Sequence, residues 1–131
     1  MAGTVTVSAS LKVVNGNLQY QSQPTSYTAS QATANGPAPG SVVATTAGVN
    51  VSFAALTLPG FVIIRNLDAT NYVTWGLYDG TTFRPVGELQ PGESHVLRFA
   101  RTLLTANAAA DVVRLVANSA NCNVQVQCFD S

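Results

Sequence analysis

Apolar and polar residues alternate along several short stretches of this chain. In residues 4–13 every odd position is apolar and every even position is polar. A period of two is typical of a β-strand with one buried face. Asn15-Gly16 follows, a dipeptide that suits the positive φ angles of a tight hairpin turn, and residues 18–23 supply a returning strand. The chain is therefore predicted to open with a β-hairpin.

Residues 24–40 do not alternate in this way. They are rich in Ser, Thr, Gln, Ala, Asn, Gly and Pro, and they end in NGPAPG. Few of these side chains can define a core face, so the sequence predicts a long loop or an extended arm, ordered by a neighbouring subunit in an assembly. Short strand candidates follow at residues 41–46 and 49–53.

Residues 60–99 contain four short apolar runs separated by turn residues, and they are predicted to form consecutive strands. Residues 61–64, FVII, are apolar at every position, which is typical of a central strand covered on both faces. An irregular segment, a crossing strand or a neighbouring chain are the possible second covers, and a neighbouring chain is the preferred interpretation. The predicted core residues are Phe61, Ile63, Trp75, Leu77, Phe83, Leu97 and Phe99.

The last strand candidates are residues 112–117 and 123–129. They follow an Ala-rich stretch at 102–110 that is interpreted as one helical turn or an irregular crossover. In total the pattern gives about eight to ten short strands with turn signals roughly every 8–12 residues and no convincing helix. It predicts an all-β fold, a single-domain, jelly-roll-like β-sandwich of antiparallel strands over residues 1–131. An immunoglobulin-like strand order stays open at this point.

Charged residues are scarce and unevenly placed. Six basic and six acidic residues make up 9% of the 131 residues, against about 25% in a typical domain. Residues 13–64 contain no charged residue and no histidine. This long uncharged region indicates either a surface solvated through neutral polar groups or one covered by neighbouring subunits. Six scattered cations do not form the basic stripe that binds nucleic acid, so no nucleic-acid partner is predicted.

Two features bear on the cellular compartment. The start, MAGTVTV, has no basic or apolar region of a secretion signal, and the longest apolar window, residues 53–64, is interrupted by Pro59 and Gly60. No membrane partner is therefore predicted. Cys122 and Cys128 lie too far apart in one extended strand to form a disulfide, which predicts free thiols in a protein folded in a reducing cytoplasm.

No catalytic signature accompanies the strands. His95 is the single histidine, and its neighbour Ser94 is expected on the opposite face of a strand, so the two do not form a nucleophile–base pair. Glu88 and Glu93 flank a turn and are interpreted as solvated carboxylates rather than a glycosidase pair. We predict no catalytic residues and no cofactor, and the protein is not expected to be an enzyme.

Residues 66–71, NLDATN, offer several side-chain oxygens. They lack the acidic density and spacing of a calcium loop, so their Asn and Asp side chains are interpreted as caps of backbone N–H groups. The two cysteines have no second pair or nearby histidine with which to bind zinc. No metal site is therefore predicted.

Residues 61–99, FVIIRNLDATNYVTWGLYDGTTFRPVGELQPGESHVLRF, resemble a segment of small structural proteins of tailed bacteriophages. The shared elements are Asn66, Asp68, Thr70, Asn71, Trp75, Gly76, Phe83, Pro85, Leu89, Pro91, Gly92 and Glu93. The resemblance covers roughly a third of the chain. It implies a virion β-sandwich made in the host cytoplasm, in the first place a capsid decoration or cement protein. A tail, fibre or neck component is the close alternative.

The resemblance implies two partners, further copies of this chain in a homo-oligomer and a major capsid protein. We place the contacts in residues 24–40 and in the N-terminal strand, acting by strand addition. The candidate interface residues are Pro24, Tyr27, Pro37, Pro39, Val5 and Val7. A carbohydrate-binding module on a phage tail or a cell surface, with Tyr72 and Tyr78 on the sugar, is the other alternative. Trp75 is assigned to the core rather than to such a platform.

Overall fold

The computed structural model describes residues 3–100, 103 and 112–131, and all regular structure in them is β-strand. The strands are β1 (Gly3–Ala9), β2 (Lys12–Asn15), β3 (Leu18–Gln21), β4 (Thr25–Gln31), β5 (Ala38–Ala44), β6 (Val49–Asn50), β7 (Pro59–Asn66), β8 (Val73–Tyr78), β9 (Phe83–Leu89), β10 (Ser94–Arg98), β11 (Val112–Ala117) and β12 (Cys122–Asp130). This confirms the all-β prediction, with somewhat more strands than expected. The described residues include no helix long and apolar enough to cross a membrane. Apart from Leu103, the Ala-rich stretch at 102–110 lies outside the described residues.

The chain divides into two units, residues 1–33 and residues 34–131. Residues 3–31 of the first unit form a two-stranded antiparallel structure, called the N-terminal ribbon below. β1 pairs with β4, and β2 pairs with β3. Gly16 and Asn17 connect β2 to β3, and Gly16 has the positive φ of 55° that a tight connection needs. The predicted hairpin is confirmed, with its turn one residue later than expected.

The ribbon is interrupted once along its length. Between the paired segments, one side has two residues, 10 and 11, and the other has three, 22–24. The additional residue makes a bulge, which suits Pro24 because proline has no N–H to donate to a ladder. Leu11 and Ser22 hold the two sides together, since Ser22 N donates to Leu11 O at 2.8 Å and Leu11 N donates to Ser22 Oγ at 2.8 Å.

Most of residues 24–40, predicted as a long loop or an extended arm, are β-strand rather than loop. Thr25–Gln31 is β4 and Ala38–Ala44 is β5, which leaves residues 32–37 as the connection. β4 is mainly polar, yet its backbone pairs with β1 and Tyr27 lies opposite Val7. A strand in a two-stranded ribbon needs a backbone partner but no buried face, and a search for alternation therefore misses it.

The second unit contains two four-stranded antiparallel sheets, with the orders β10-β7-β12-β5 and β6-β11-β8-β9. Eight antiparallel strands that cross between two sheets in this order form a double-sheet jelly roll. The jelly-roll prediction is thus confirmed, and the order differs from that of an immunoglobulin sandwich. The sandwich that the sequence predicts for the whole chain is formed by the strands of this second unit.

The core lies between the inner faces of the two sheets. In β12, inner positions alternate with partly or fully exposed ones, and the inner ones are fully buried: Cys122, Val124, Val126 and Cys128. Strand β11 contributes its own buried alternate positions from the other sheet: Val113, Leu115 and Ala117. A fully buried aliphatic side chain stabilises a fold by about 1.5–3 kcal/mol. This core therefore does not require a metal or a disulfide.

Four predicted core residues lie as expected. Trp75 and Phe99 are buried in the core, and Leu77 and Leu97 are partly buried against it. Phe99 also meets the ring of Phe53 edge-on, with 5.5 Å between the ring centroids. Strands β8 and β10 therefore present the predicted faces to the core.

The other three predictions need correction. Ile63 is half-buried and lies outside the core, because it alternates with the inward-facing Val62 and Ile64. Phe83 is also half-buried, and it lies opposite Tyr78 on an outer face. Phe61 is buried, but on the outer face of its sheet.

The outer face of residues 61–64 is covered in part by the chain itself. Arg98, directly opposite Phe61 on the neighbouring strand β10, places its guanidinium 5.1 Å from the centre of the Phe61 ring. The chain itself therefore covers this aromatic ring, and no neighbouring chain is needed for it. Strand β7 is a central strand, as predicted, between β10 and β12.

Candidate functional site

Exposed apolar side chains are concentrated in the N-terminal ribbon. Of the ten large hydrophobic side chains that are exposed in the described residues, five lie within residues 11–27: Leu11, Val14, Leu18, Tyr20 and Tyr27. No residue between 3 and 33 is buried. An isolated two-stranded hairpin is marginally stable in water, and exposed apolar groups that cluster on such an element mark it as a surface for contact.

The β1–β4 part of the ribbon has two different faces. On the face called the apolar face, Val5 lies opposite Ala29 and Val7 lies opposite Tyr27. The other face, called the hydroxyl face, is made entirely of Ser and Thr pairs: Thr4 with Ser30, Thr6 with Thr28, and Ser8 with Ser26. Ser8 and Ser26 form a long hydrogen bond of 3.4 Å between their hydroxyl groups. Neither face carries a charge.

The structure brings together only some of the predicted interface residues. Val5, Val7 and Tyr27 share the apolar face, and Pro24 lies beside them in the bulge. Pro37 and Pro39 belong to the second unit, where Pro39 is part of β5 at the edge of a sheet. The set therefore divides into a ribbon group and a jelly-roll group.

A shallow groove of about 200 Å³ lies next to the ribbon's bulge. Its lining residues are Ser8, Ala9, Ser10, Pro24, Thr25 and Ser26. They offer hydroxyl groups but no charged or titratable group. The groove is smaller than the roughly 300–1,000 Å³ of ordinary small-molecule sites.

His95 has a structural partner in the jelly roll. Trp75 Nε1 donates a hydrogen bond to His95 Nδ1 at 3.0 Å, and the two rings meet edge-on. Gly87 makes room for this pair, because a Cβ at that position would lie 2.5 Å from Trp75 Nε1. Ser94 is on the opposite face of β10, next to Arg65, so His95 and Ser94 do not form a nucleophile–base pair.

The predicted Asx caps at residues 66–71 are confirmed. Asn66 is fully buried, and its Nδ2 donates to Asn71 O at 2.8 Å and to Leu89 O at 3.1 Å, while its Oδ1 accepts from Asp68 N at 3.0 Å. Asp68 Oδ1 accepts from the backbone N–H groups of Asn71 and Thr70, which lowers the pKa of this carboxyl from its ordinary value. Asn66 thus joins its own loop to the end of β9.

Glu88 and Glu93 act on the neighbouring turn. Glu93 Oε2 accepts from Gln90 N at 2.8 Å, and Glu88 Oε1 accepts from the Gln90 side-chain amide. Both glutamates are exposed. They therefore hold the turn between β9 and β10, in agreement with their interpretation as solvated groups.

Asp130 is a buried carboxylate that the sequence analysis missed. It is 1% exposed and accepts hydrogen bonds from Leu58 N at 2.8 Å, Asn35 Nδ2 at 2.9 Å and Thr57 N at 3.3 Å. Burial raises the pKa of Asp130, but these hydrogen bonds lower it by more. The net shift of the pKa is therefore downward. The signal was present in the sequence, because Asp130 continues the alternation of buried positions in β12.

Both cysteines are free, as predicted, and both are buried. Burial raises the pKa of the Cys128 thiol to about 11 and also raises that of Cys122. A thiol kept protonated and away from solvent is a poor nucleophile. The two cysteines therefore act as small apolar residues in the core.

The aromatic residues considered for sugar binding are not arranged as a platform. Trp75 is 7% exposed and faces the core. The guanidinium of Arg114 lies 4.1 Å from the centre of the Tyr78 ring, and the same group donates to Asn50 Oδ1 at 2.8 Å. Tyr78 is thus covered by a side chain that is itself held in place, and only Tyr72 is exposed.

Within the described ranges, no group of three or more His, Cys, Asp or Glu side chains is placed to hold a metal ion. No protein-family model, curated protein or solved structure gives a significant match to this chain. The N-terminal ribbon therefore remains the candidate functional site on the strength of its own geometry.

Proposed function

We propose that this chain is a non-enzymatic structural protein of a virion, and specifically a capsid decoration or cement protein that binds the capsid lattice and stabilises it. The observation that carries the proposal is that one chain contains both a well-packed jelly roll and a ribbon that has an apolar face and no core of its own. The resemblance of residues 61–99 to tailed-phage structural proteins supports the same role.

A cement protein acts by mass action. Many copies that bind only the assembled lattice stabilise it by their summed binding free energy. The N-terminal ribbon suits this task because its apolar face loses unfavourable contact with water when it docks. Low charge lets copies lie close together on the lattice without mutual repulsion.

Copy number tests the proposal directly. We expect quantitative mass spectrometry of purified particles to find this chain in hundreds of copies per virion. A few copies per particle would instead identify a tail, fibre or neck component. Absence from purified particles would reject a virion role altogether.

The role of the ribbon in lattice binding is tested by paired variants. Replacing Val7 and Tyr27 with Ser removes two side chains of the apolar face, and replacing the exposed Val86 and Val96 with Ser is the matched control in the jelly roll. We expect the first variant to lose co-sedimentation with capsids and the second to keep it. These substitutions are preferable to deleting residues 24–40, which would remove β4 and the start of β5 together.

A further inference from the structure

Strand β1 has an open edge. In the described part of the chain β1 pairs with β4 on one side and with no strand on the other. Its seven residues, GTVTVSA, include no charged residue and no proline, and its pairing with β4 is unbroken by a bulge. An unpaired edge of this kind is a template for the addition of another strand.

The four edge strands of the jelly roll differ from β1 in this respect. β5 contains Pro39, β9 contains Pro85 and a bulge opposite Trp75 and Gly76, β10 carries Arg98, and β6 is only two residues long. Prolines, bulges, charges and short length are the features by which proteins prevent unwanted strand pairing. Strand β1 has none of them, so its edge is left available.

We propose that β1 pairs in antiparallel fashion with β1 of a second copy of this chain, about a two-fold axis at Thr6. In this register Thr6 faces Thr6 of the second copy, Val5 faces Val7 of the second copy, and Thr4 faces Ser8 of the second copy. All seven residues of the strand are then paired. The product is a four-stranded sheet, in the order β4-β1-β1-β4, made from two ribbons.

Chemistry selects a second copy as the occupant. Odd positions meet odd positions in this register, so the two apolar faces become continuous and the two hydroxyl faces do as well. The strand is uncharged and therefore offers nothing to attract a charged partner, while it meets its own copy without repulsion. Sheets of three or more strands with an apolar face are also much more stable than an isolated hairpin.

Disulfide trapping tests the register. Paired Cα atoms in an antiparallel ladder lie about 4.5–5.5 Å apart, within the reach of a disulfide. We expect Thr6→Cys to give covalent dimers on mild oxidation. Thr4→Cys alone and Ser8→Cys alone should give none, because each pair of identical positions is then about 13 Å apart along the strand, but a mixture of the two variants should cross-link. Cys122 and Cys128 are buried, so the unmodified chain provides the background.

Charge placement provides a second and independent test. Thr6→Lys puts two ammonium groups opposite each other at the axis, whereas Thr28→Lys makes the same change on the neighbouring strand, away from the axis. We expect sedimentation equilibrium to show dimerisation weakened about fivefold by Thr6→Lys, and restored by salt, because like charges directly opposite destabilise a strand pair. Thr28→Lys should change it little.

The outcomes separate clearly. If Thr6→Cys yields no dimer, or if Thr4→Cys alone cross-links as well as Thr6→Cys, the proposed pairing is wrong. Equal weakening by Thr6→Lys and Thr28→Lys would also reject it. The inference rests on the proposed function only in that it makes the predicted homo-oligomer specific, and these experiments use the isolated chain. A chain that dimerises through β1 and fails to bind capsids would therefore reject the capsid role and leave the strand pairing in place.

Discussion

The N-terminal ribbon and the jelly roll are built from the same kind of strand and have opposite environments. Val5 and Val7 of β1 are only partly buried, whereas the alternate apolar positions of β11 and β12 are buried. The jelly roll supplies two sheets that cover each other, and the ribbon supplies a single layer. An alternating pattern therefore identifies which face of a strand needs cover, but it does not identify what covers it.

The largest expected effect comes from deleting a leucine side chain in each region. Leu115→Ala should lower the free energy of unfolding by about 3 kcal/mol, because Leu115 is fully buried and its loss leaves a cavity. Leu18→Ala should change it by less than about 0.5 kcal/mol, because Leu18 is 60% exposed. Urea unfolding followed by Trp75 fluorescence measures the first, and hydrogen exchange of the ribbon amides measures the second. Similar losses in both would mean that the ribbon is covered in solution.

Asn66 tests whether polar groups also hold the jelly roll together. Asn66→Ala leaves the carbonyls of Asn71 and Leu89 without this donor, so we expect a loss of about 2 kcal/mol in the free energy of unfolding. The exposed Asn121→Ala is the control, with an expected change near zero. Thermal unfolding of both variants by circular dichroism makes the comparison. An Asn66→Ala variant as stable as the control would mean that the hydrogen bonds of Asn66 do not stabilise the jelly roll.

Gly87 tests the packing around Trp75 and His95. Gly87→Ala places a Cβ against Trp75 Nε1, and we expect it to destabilise the jelly roll by about 1–3 kcal/mol and to shift the Trp75 emission. Gly3→Ala in the ribbon is the control, since the nearest atom to its added Cβ would be 3.5 Å away, an ordinary contact. Unchanged stability and unchanged emission in Gly87→Ala would indicate that the added Cβ is accommodated without displacing the Trp75–His95 pair.

Low pH should lower the stability of the jelly roll and leave the ribbon unaffected, and this is the smallest of the expected effects. The pKa of Asp130 is lower in the folded protein than its ordinary 3.8. Its carboxylate therefore stabilises the fold above that pH, and the contribution is lost as the pH falls through the folded-state value. The difference in stability between the native chain and Asp130→Asn should shrink below about pH 3.8, as urea unfolding across pH can measure. Residues 1–67 contain no Asp, Glu or His, so the proposed ribbon dimerisation should stay constant between about pH 4 and 6, below the range in which the α-amino group titrates. A constant Asp130→Asn difference would contradict the assignment.

The strands of the jelly roll were predictable where apolar positions alternate between clear turn residues. Asn66-Leu67-Asp68, Asp79-Gly80 and Pro91-Gly92 each fix a turn by local chemistry, and the inward faces of β8 and β10 follow from the alternation between these turns. Trp75 and Phe99 were placed in the core for that reason. Strand β9 is the exception, because the bulge opposite Trp75 and Gly76 turns Phe83 to the outer face.

The errors share a cause, which is dependence on long-range contacts. β4 has no face of its own to recognise, because its pairing with β1 alone defines it. Phe61 is buried outside the core because the guanidinium of Arg98, from another strand, covers its ring. Ile63 was assigned to the core because residues 61–64 are apolar at every position, so their pattern does not tell which side chains face inward. The sequence predicts the polar face of β1. The Ser and Thr residues of β4 are recognised as part of the same hydroxyl face only when β4 is placed opposite β1.

The two thiols of β12 can report how often the two sheets of the jelly roll separate. β12 lies between β7 and β5, and both sulfur atoms are on its inner face. A thiol-specific reagent can therefore reach them only when the sheets separate. The labelling rate is then the product of the intrinsic thiol reactivity and the fraction of open molecules. Labelling of the purified chain would then measure how often the jelly roll opens in solution, without any introduced probe.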